Sequence, residues 1–168
     1  MIKRLIHLPA LFAVLLYFTT PAQAVLQRTS TLQVPLSGTV LVPLNDGSFD
    51  SVSLSGRANV VTTVPLSDIP PDHIRPVRIH VNLDHVSGVG SITKKEYSAT
   101  GTNRVTFPAF PSKPIIFGFD LQFPAEPLLL VFPPSPIMPL DINFNFTFNP
   151  DTGELSNVSI ESMSIPVP

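Results

Sequence analysis

Residues 141–149 read Asp-Ile-Asn-Phe-Asn-Phe-Thr-Phe-Asn. Ile142, Phe144, Phe146 and Phe148 share one parity, and Asn143, Asn145 and Thr147 share the other. An extended chain sends successive side chains to opposite faces, so this stretch reads as a strand with one buried face. Asn149-Pro-Asp-Thr-Gly153 follows. Proline presets φ there and glycine supplies a positive one, so the chain turns back. Leu155, Val158 and Ile160 begin the return strand, and the change of phase before Met163, Ile165 and Val167 predicts a bulge.

The same alternation recurs along the chain, and helical spacing is nearly absent. Val52, Leu54, Ala58, Val60 and Val64 make residues 50–64 one long strand bent at Gly56. Val77, Ile79, Val81 and Leu83 mark another. Residues 97–107 are less regular but rich in Thr and Val, and residues 115–123 set Phe117, Phe119, Leu121 and Phe123 opposite Gly118. At the front, residues 31–36 and 39–44 flank Ser37-Gly38, which reads as a tight hairpin, and Asn45-Asp-Gly47 reads as a second turn. Leu128 to Phe132 is a short, fully apolar strand candidate. Prolines cannot donate to a ladder, so Pro65, Pro70-Pro71, Pro108, Pro111, Pro114, Pro124, Pro127 and Pro133-Pro134 mark boundaries and blunt edges. These features predict an all-β fold, an antiparallel meander of about eight strands closed as a small barrel or folded as a sandwich.

The first 24 residues read differently. Lys3 and Arg4 precede a mostly apolar run, and Ala22-Gln23-Ala24 has the form that signal peptidase needs. A removed signal peptide over residues 1–24 is therefore expected, leaving residues 25–168 as a single all-β domain. The apolar run is short and contains Pro9, which argues against an anchor, and no later stretch is suited to a membrane-spanning helix. The chain has no cysteine, which removes thiol catalysis, thiolate metal sites and disulfides. A net charge of −2, spread thinly, is no footprint for nucleic acid. Twenty prolines and only 13% charged residues could suggest disorder, but 43% hydrophobic residues in sharp alternation favour a folded domain. The expected location is secreted or periplasmic, in a bacterium rather than a eukaryote. Asn145-Phe-Thr147 and Asn157-Val-Ser159 fit the glycosylation pattern and keep a eukaryotic source open.

Residues 80–101, HVNLDHVSGVGSITKKEYSATG, hold the densest polar grouping. With a period of two, Arg78, His80, Asn82 and Asp84 share the face opposite Ile79, Val81 and Leu83. Together with Lys94, Lys95 and Tyr97 they form the candidate ligand-binding set. His85 falls on the other parity unless a bulge intervenes. Zinc would need His80 with Asp84 and a ligand such as His73, but no repeated His-x-His spacing supports it, and no metal or cofactor is expected. Ser87-Gly-Val-Gly90 lacks the third glycine, the helix and the lysine of a phosphate loop, and reads as a bend between strands. Asp151-Thr-Gly153 matches the aspartic protease tripeptide but has no second copy and sits in a turn. No serine occupies a nucleophile elbow, and no carboxylates are paired for sugar hydrolysis. Catalytic residues are therefore not assigned. The proline-stiffened stretch 126–139 carries Ile137 and Met138, a candidate partner contact if exposed.

Leu54-Ser-Gly56, Val60-Val61, His80-Val-Asn82, Gly88-Val-Gly90, Tyr97, Thr100-Gly101 and the run from Phe144 into Asn149-Pro-Asp-x-Gly153 resemble a pattern in small secreted bacterial all-β proteins of uncharacterised function. Lysines 94 and 95 stand where that pattern carries Thr-Gly. The resemblance implies an exported all-β module and supplies no activity. The expected role is non-catalytic, binding a small apolar or amphipathic ligand or an envelope partner. Two alternatives remain open: a small hydrolase or isomerase using His80, Asp84 and Tyr97 in a barrel mouth, and an eight-stranded outer-membrane barrel.

Overall fold

Even-numbered residues from Leu32 to Val42 keep one inward parity straight through Ser37 and Gly38. The computed structural model, which describes residues 26–44, 46–66, 75–123 and 137–166, accordingly runs them as one strand. β1 spans Gln27–Pro43 and pairs along its whole length with β2, Phe49–Pro65. The expected hairpin at Ser37-Gly38 is thus absent. A two-residue turn there would have set Thr39 beside Leu36 and thrown Val40 and Val42 outward, which their burial forbids. The turn lies at residues 44–48 instead, where Gly47 takes φ of 83° and donates to the Leu44 carbonyl.

The remaining strands are β3 (Val77–Gly90), β4 (Glu96–Thr100), β5 (Thr102–Phe107), β6 (Ile115–Gln122), β7 (Ile137–Phe148) and β8 (Leu155–Ser164). All eight are antiparallel members of one sheet curled into a nearly closed barrel, and no helix occurs among the described residues. β4 and β5 lie on one line beside β3, interrupted at Gly101 with φ of 135°. β1 and β8 are the two edges. They approach where the Leu155 amide donates to Ser30 Oγ at 3.3 Å, and where Met163 lies against Gly38. Pro35 and Pro43 sit in β1, where a missing N–H is tolerated only on the side away from β2. They remove donors from the edge that faces the seam.

Alternation gives this barrel its core. Val34, Leu54, Val60, Ile79, Leu121, Ile142 and their neighbours point inward and pack as one buried cluster, with Phe117, Phe144 and Phe146 making edge and stacked ring contacts. The register changes where bulges enter. In β3 two residues, His85 and Val86, stand opposite the single Gly56 of β2, and His85 takes φ of 51°. A Cβ on Gly56 would stand 2.5 Å from the His85 carbonyl oxygen, so only glycine admits the bulge. The phase change expected in β8 falls at Glu161, between the Phe144–Ile160 and Asn143–Ser162 pairs. The turn at 149–154 forms as its sequence predicts: the Asp151 and Thr152 amides donate to Asn149 Oδ1, and Gly153 has φ of 71°.

Candidate functional site

Asp50 lies two residues before Val52 on the inward parity of β2, and its side chain is fully buried. A carboxylate there must collect donors. Ile92 N–H reaches Oδ1 at 2.8 Å and Ser91 Oγ reaches it at 3.4 Å. Thr93 donates to Oδ2 through both its amide and its hydroxyl, and the Tyr97 hydroxyl lies 3.4 Å from the same oxygen. Burial pushes the Asp50 carboxyl up, but these hydrogen bonds outweigh it and hold the group below its ordinary value. The connection at 91–95 is therefore sewn onto β2 by one ionised side chain. Gly90 is required beneath it, because a Cβ would stand 2.0 Å from Asp50 Oδ2.

Tyr97 follows this turn and points inward, with its ring 5.7 Å from that of Phe123 at a tilt of 46°. The two rings separate two cavities at this end of the barrel. One, of about 450 Å³, lies between the ends of β3, β4 and β6 and is lined, among the described residues, by Ser87, Gly88, Val89, Glu96, Tyr97, Ser98, Gln122 and Phe123. The other, of about 100 Å³, lies under the 44–48 turn against Val42, Thr93 and Lys95. The larger groove exists because β6 leaves the sheet after Gln122, opposite Ser98, so the start of β4 has no ladder partner on that side among the described residues. Leu41, Phe49, Val89, Ile92 and Ile137, each at least half exposed, stand around the same end.

The candidate set read from the sequence divides in space. Arg78, His80, Asn82 and Asp84 share the outer face of β3 as expected. Tyr97 does not join them, since it belongs to the interior of β4. Lys94 is exposed on the 91–95 turn with φ of 57°, and Lys95 lines the smaller cavity. The bulge brings His85 to the outer side as well, where its ring meets the Asp84 carboxylate. Gly88 and Gly90 lie within β3 and do not form the bend, which falls at 91–95. Ile137 is exposed, whereas Met138 is half-buried and packs against the core. The strand candidate 128–132, His73 and the stretch 1–24 lie outside the described residues. Among the described residues, no three His, Asp or Glu side chains come together as metal ligands, and no helix is long and apolar enough to cross a membrane.

Of the groove residues, Tyr97 belongs to the candidate set read from the sequence and Ser87, Gly88 and Val89 to the stretch read as a bend, whereas Asp50, Ser98, Gln122 and Phe123 carry no motif that marks them as site residues. The available signal for Asp50 was an acid on the buried parity of a strand that otherwise carries Val, Leu, Ala, Gly56 and Thr62 there. No protein-family model, curated protein or solved structure matches the chain.

Proposed function

We propose that the protein is an exported, non-catalytic β-barrel that binds a small apolar or amphipathic ligand in the groove beside Tyr97 and Phe123. The observation that carries this reading is the groove itself: an opening of about 450 Å³ walled by Tyr97, Phe123 and Val89, with Ser87, Glu96, Ser98 and Gln122 beside them. The exposed apolar side chains around the same end extend a surface suited to an amphipathic molecule. Export rests on the charged, apolar and small-residue segments of residues 3–24 and on the likeness to small secreted bacterial proteins.

A hydrolase or isomerase needs His80, Asp84 and Tyr97 within hydrogen-bonding reach. Tyr97 faces inward while the other two lie on the outer face, and among the described residues no histidine lines the groove. An outer-membrane barrel carries its apolar residues outside. Here the apolar set points inward and the outward row of β2 reads Ser51, Ser53, Ser55, Arg57, Asn59.

The test uses a fluorescent long-chain fatty acid as probe. The wild-type protein binds it with saturation, and Ser98→Trp, which fills the groove from an exposed strand position, abolishes binding while Ser55→Trp does not. Absence of saturable binding, or equal binding by Ser98→Trp, contradicts the proposal.

A further inference from the structure

The outer face of β1, β2, β3 and β5 arranges its polar side chains in cross-strand rows. One row is Gln33, Asn59, Asn82 and Thr102, register partners in succession. It spans about 14 Å, three strand spacings. On one side of it stands Arg57, and on the other stand Arg78, His80 and Arg104. His80 and Arg104 are directly opposed, which sets their Cβ atoms about 5 Å apart, and Arg78 is their diagonal neighbour.

The hydrogen bonds within this face consume its acceptors. Arg57 donates to Gln33 Oε1 at 3.5 Å, Gln33 Nε2 donates to Asn59 Oδ1 at 3.4 Å, and Thr102 Oγ1 donates to Asn82 Oδ1 at 2.6 Å. The outward side-chain carboxylate of these four strands, Asp84, is engaged by His85 at the bulge. Arg78, His80 and Arg104 have no carboxylate partner among the described residues. What the face offers outward is donors: guanidinium and imidazole N–H groups and the amide nitrogens of Asn59 and Asn82. The opposite side of the barrel is complementary in sign, since β6, β7 and β8 carry Asp120, Asp141 and Glu161 but no Lys or Arg. A chain of net charge −2 has thus gathered three of its four strand arginines, Arg57, Arg78 and Arg104, on one outer face, with Arg28 on the inward parity of β1.

We infer that this face is a binding site for an anionic polysaccharide bearing sulfate or phosphate groups. Paired guanidinium groups match the oxygens of such groups in a bidentate fashion, and the amide row supplies neutral donors to sugar hydroxyls between them. The outward row carries no Phe, Tyr or Trp, the broad rings on which successive bases stack, so nucleic acid is the poorer fit. The site is separate from the groove beside Tyr97, and either can fail without the other.

The probe is heparin, a sulfated polysaccharide, with unsulfated dextran as its control. Titration of the purified protein gives salt-sensitive heparin binding and none to dextran. Arg78→Gln with Arg104→Gln weakens it by about tenfold or more, whereas Lys94→Gln, which removes a cation elsewhere, changes it less than about twofold. Asn82→Leu, which alters no charge, weakens it severalfold, so the inference does not rest on charge removal alone. Each variant is checked by its thermal melt. The inference is overturned if the double variant binds heparin as the wild type does, if dextran binds equally, or if a DNA oligomer of equal charge binds as tightly. It is also overturned if the arginine face instead holds a second copy of the chain, seen as a salt-sensitive dimer that the double variant abolishes.

Discussion

A carboxylate with no exposed surface draws its stability from the donors around it, and Asp50 draws all of them from one turn and one tyrosine. Asp50→Asn replaces an acceptor with an amide that must face the Ile92 and Thr93 N–H groups. Leaving such donors unmatched costs about 2–3 kcal/mol, measurable as a lowered urea midpoint at neutral pH. The pH dependence has a definite sign. The folded carboxyl lies below its ordinary value, so its contribution is present above the unfolded value of about 4 and is lost as pH falls through the folded one. The wild type should therefore lose stability below about pH 4 more steeply than Asp50→Asn, and equal acid limbs would show that Asp50 does not anchor the turn. At this scale the sequence was partly legible. Strand parity separates Arg78, His80, Asn82 and Asp84 from the core, but it gives no warning that an acid on the buried parity would organise the turn next to the groove.

At the scale of elements, β2, β3, β6, β8 and β7 from Asp141 onward were readable because a period of two with one buried face has few alternative interpretations. The one strand expected over 97–107 is broken at Gly101 into β4 and β5, and Ile137 and Met138, expected in a proline-stiffened loop, open β7. Three further features were misleading. Ser37-Gly38 looks like a hairpin, yet the parity of Val40 and Val42 already contradicts a two-residue turn, and Gly38 serves the approach of Met163. The pair Gly88 and Gly90 looks like a bend, yet close packing against Ser53 and Asp50 places both within a strand. The bulge at His85 depends on space left by Gly56 on a neighbouring strand, a contact that sequence order does not reveal. That contact carries its own prediction. Gly56→Ala sets a methyl within 2.6 Å of the β3 backbone, and overpacking against backbone costs about 2–3 kcal/mol, whereas Ser55→Ala on the exposed side leaves the melting temperature nearly unchanged. An undisturbed melt for Gly56→Ala would mean that the two strands do not cross so closely.

For the whole molecule, the decisive property is where the apolar groups point. The barrel interior is filled by Val, Ile, Leu and Phe side chains, so the proposed ligand site is the groove where β6 departs and Tyr97 and Phe123 form a wall. Alternation alone could not choose between a filled barrel and one enclosing a ligand, because both put apolar residues inside. The most direct test is an amide chemical-shift map of the protein titrated with an unlabelled long-chain fatty acid. Shifts confined to Val89, Glu96, Tyr97, Ser98 and Phe123, with Ile142 and Phe144 unmoved, are the predicted result. Shifts centred on Ile142, Phe117 and Phe144, or none at saturating ligand, would contradict a binding groove at the barrel's open end.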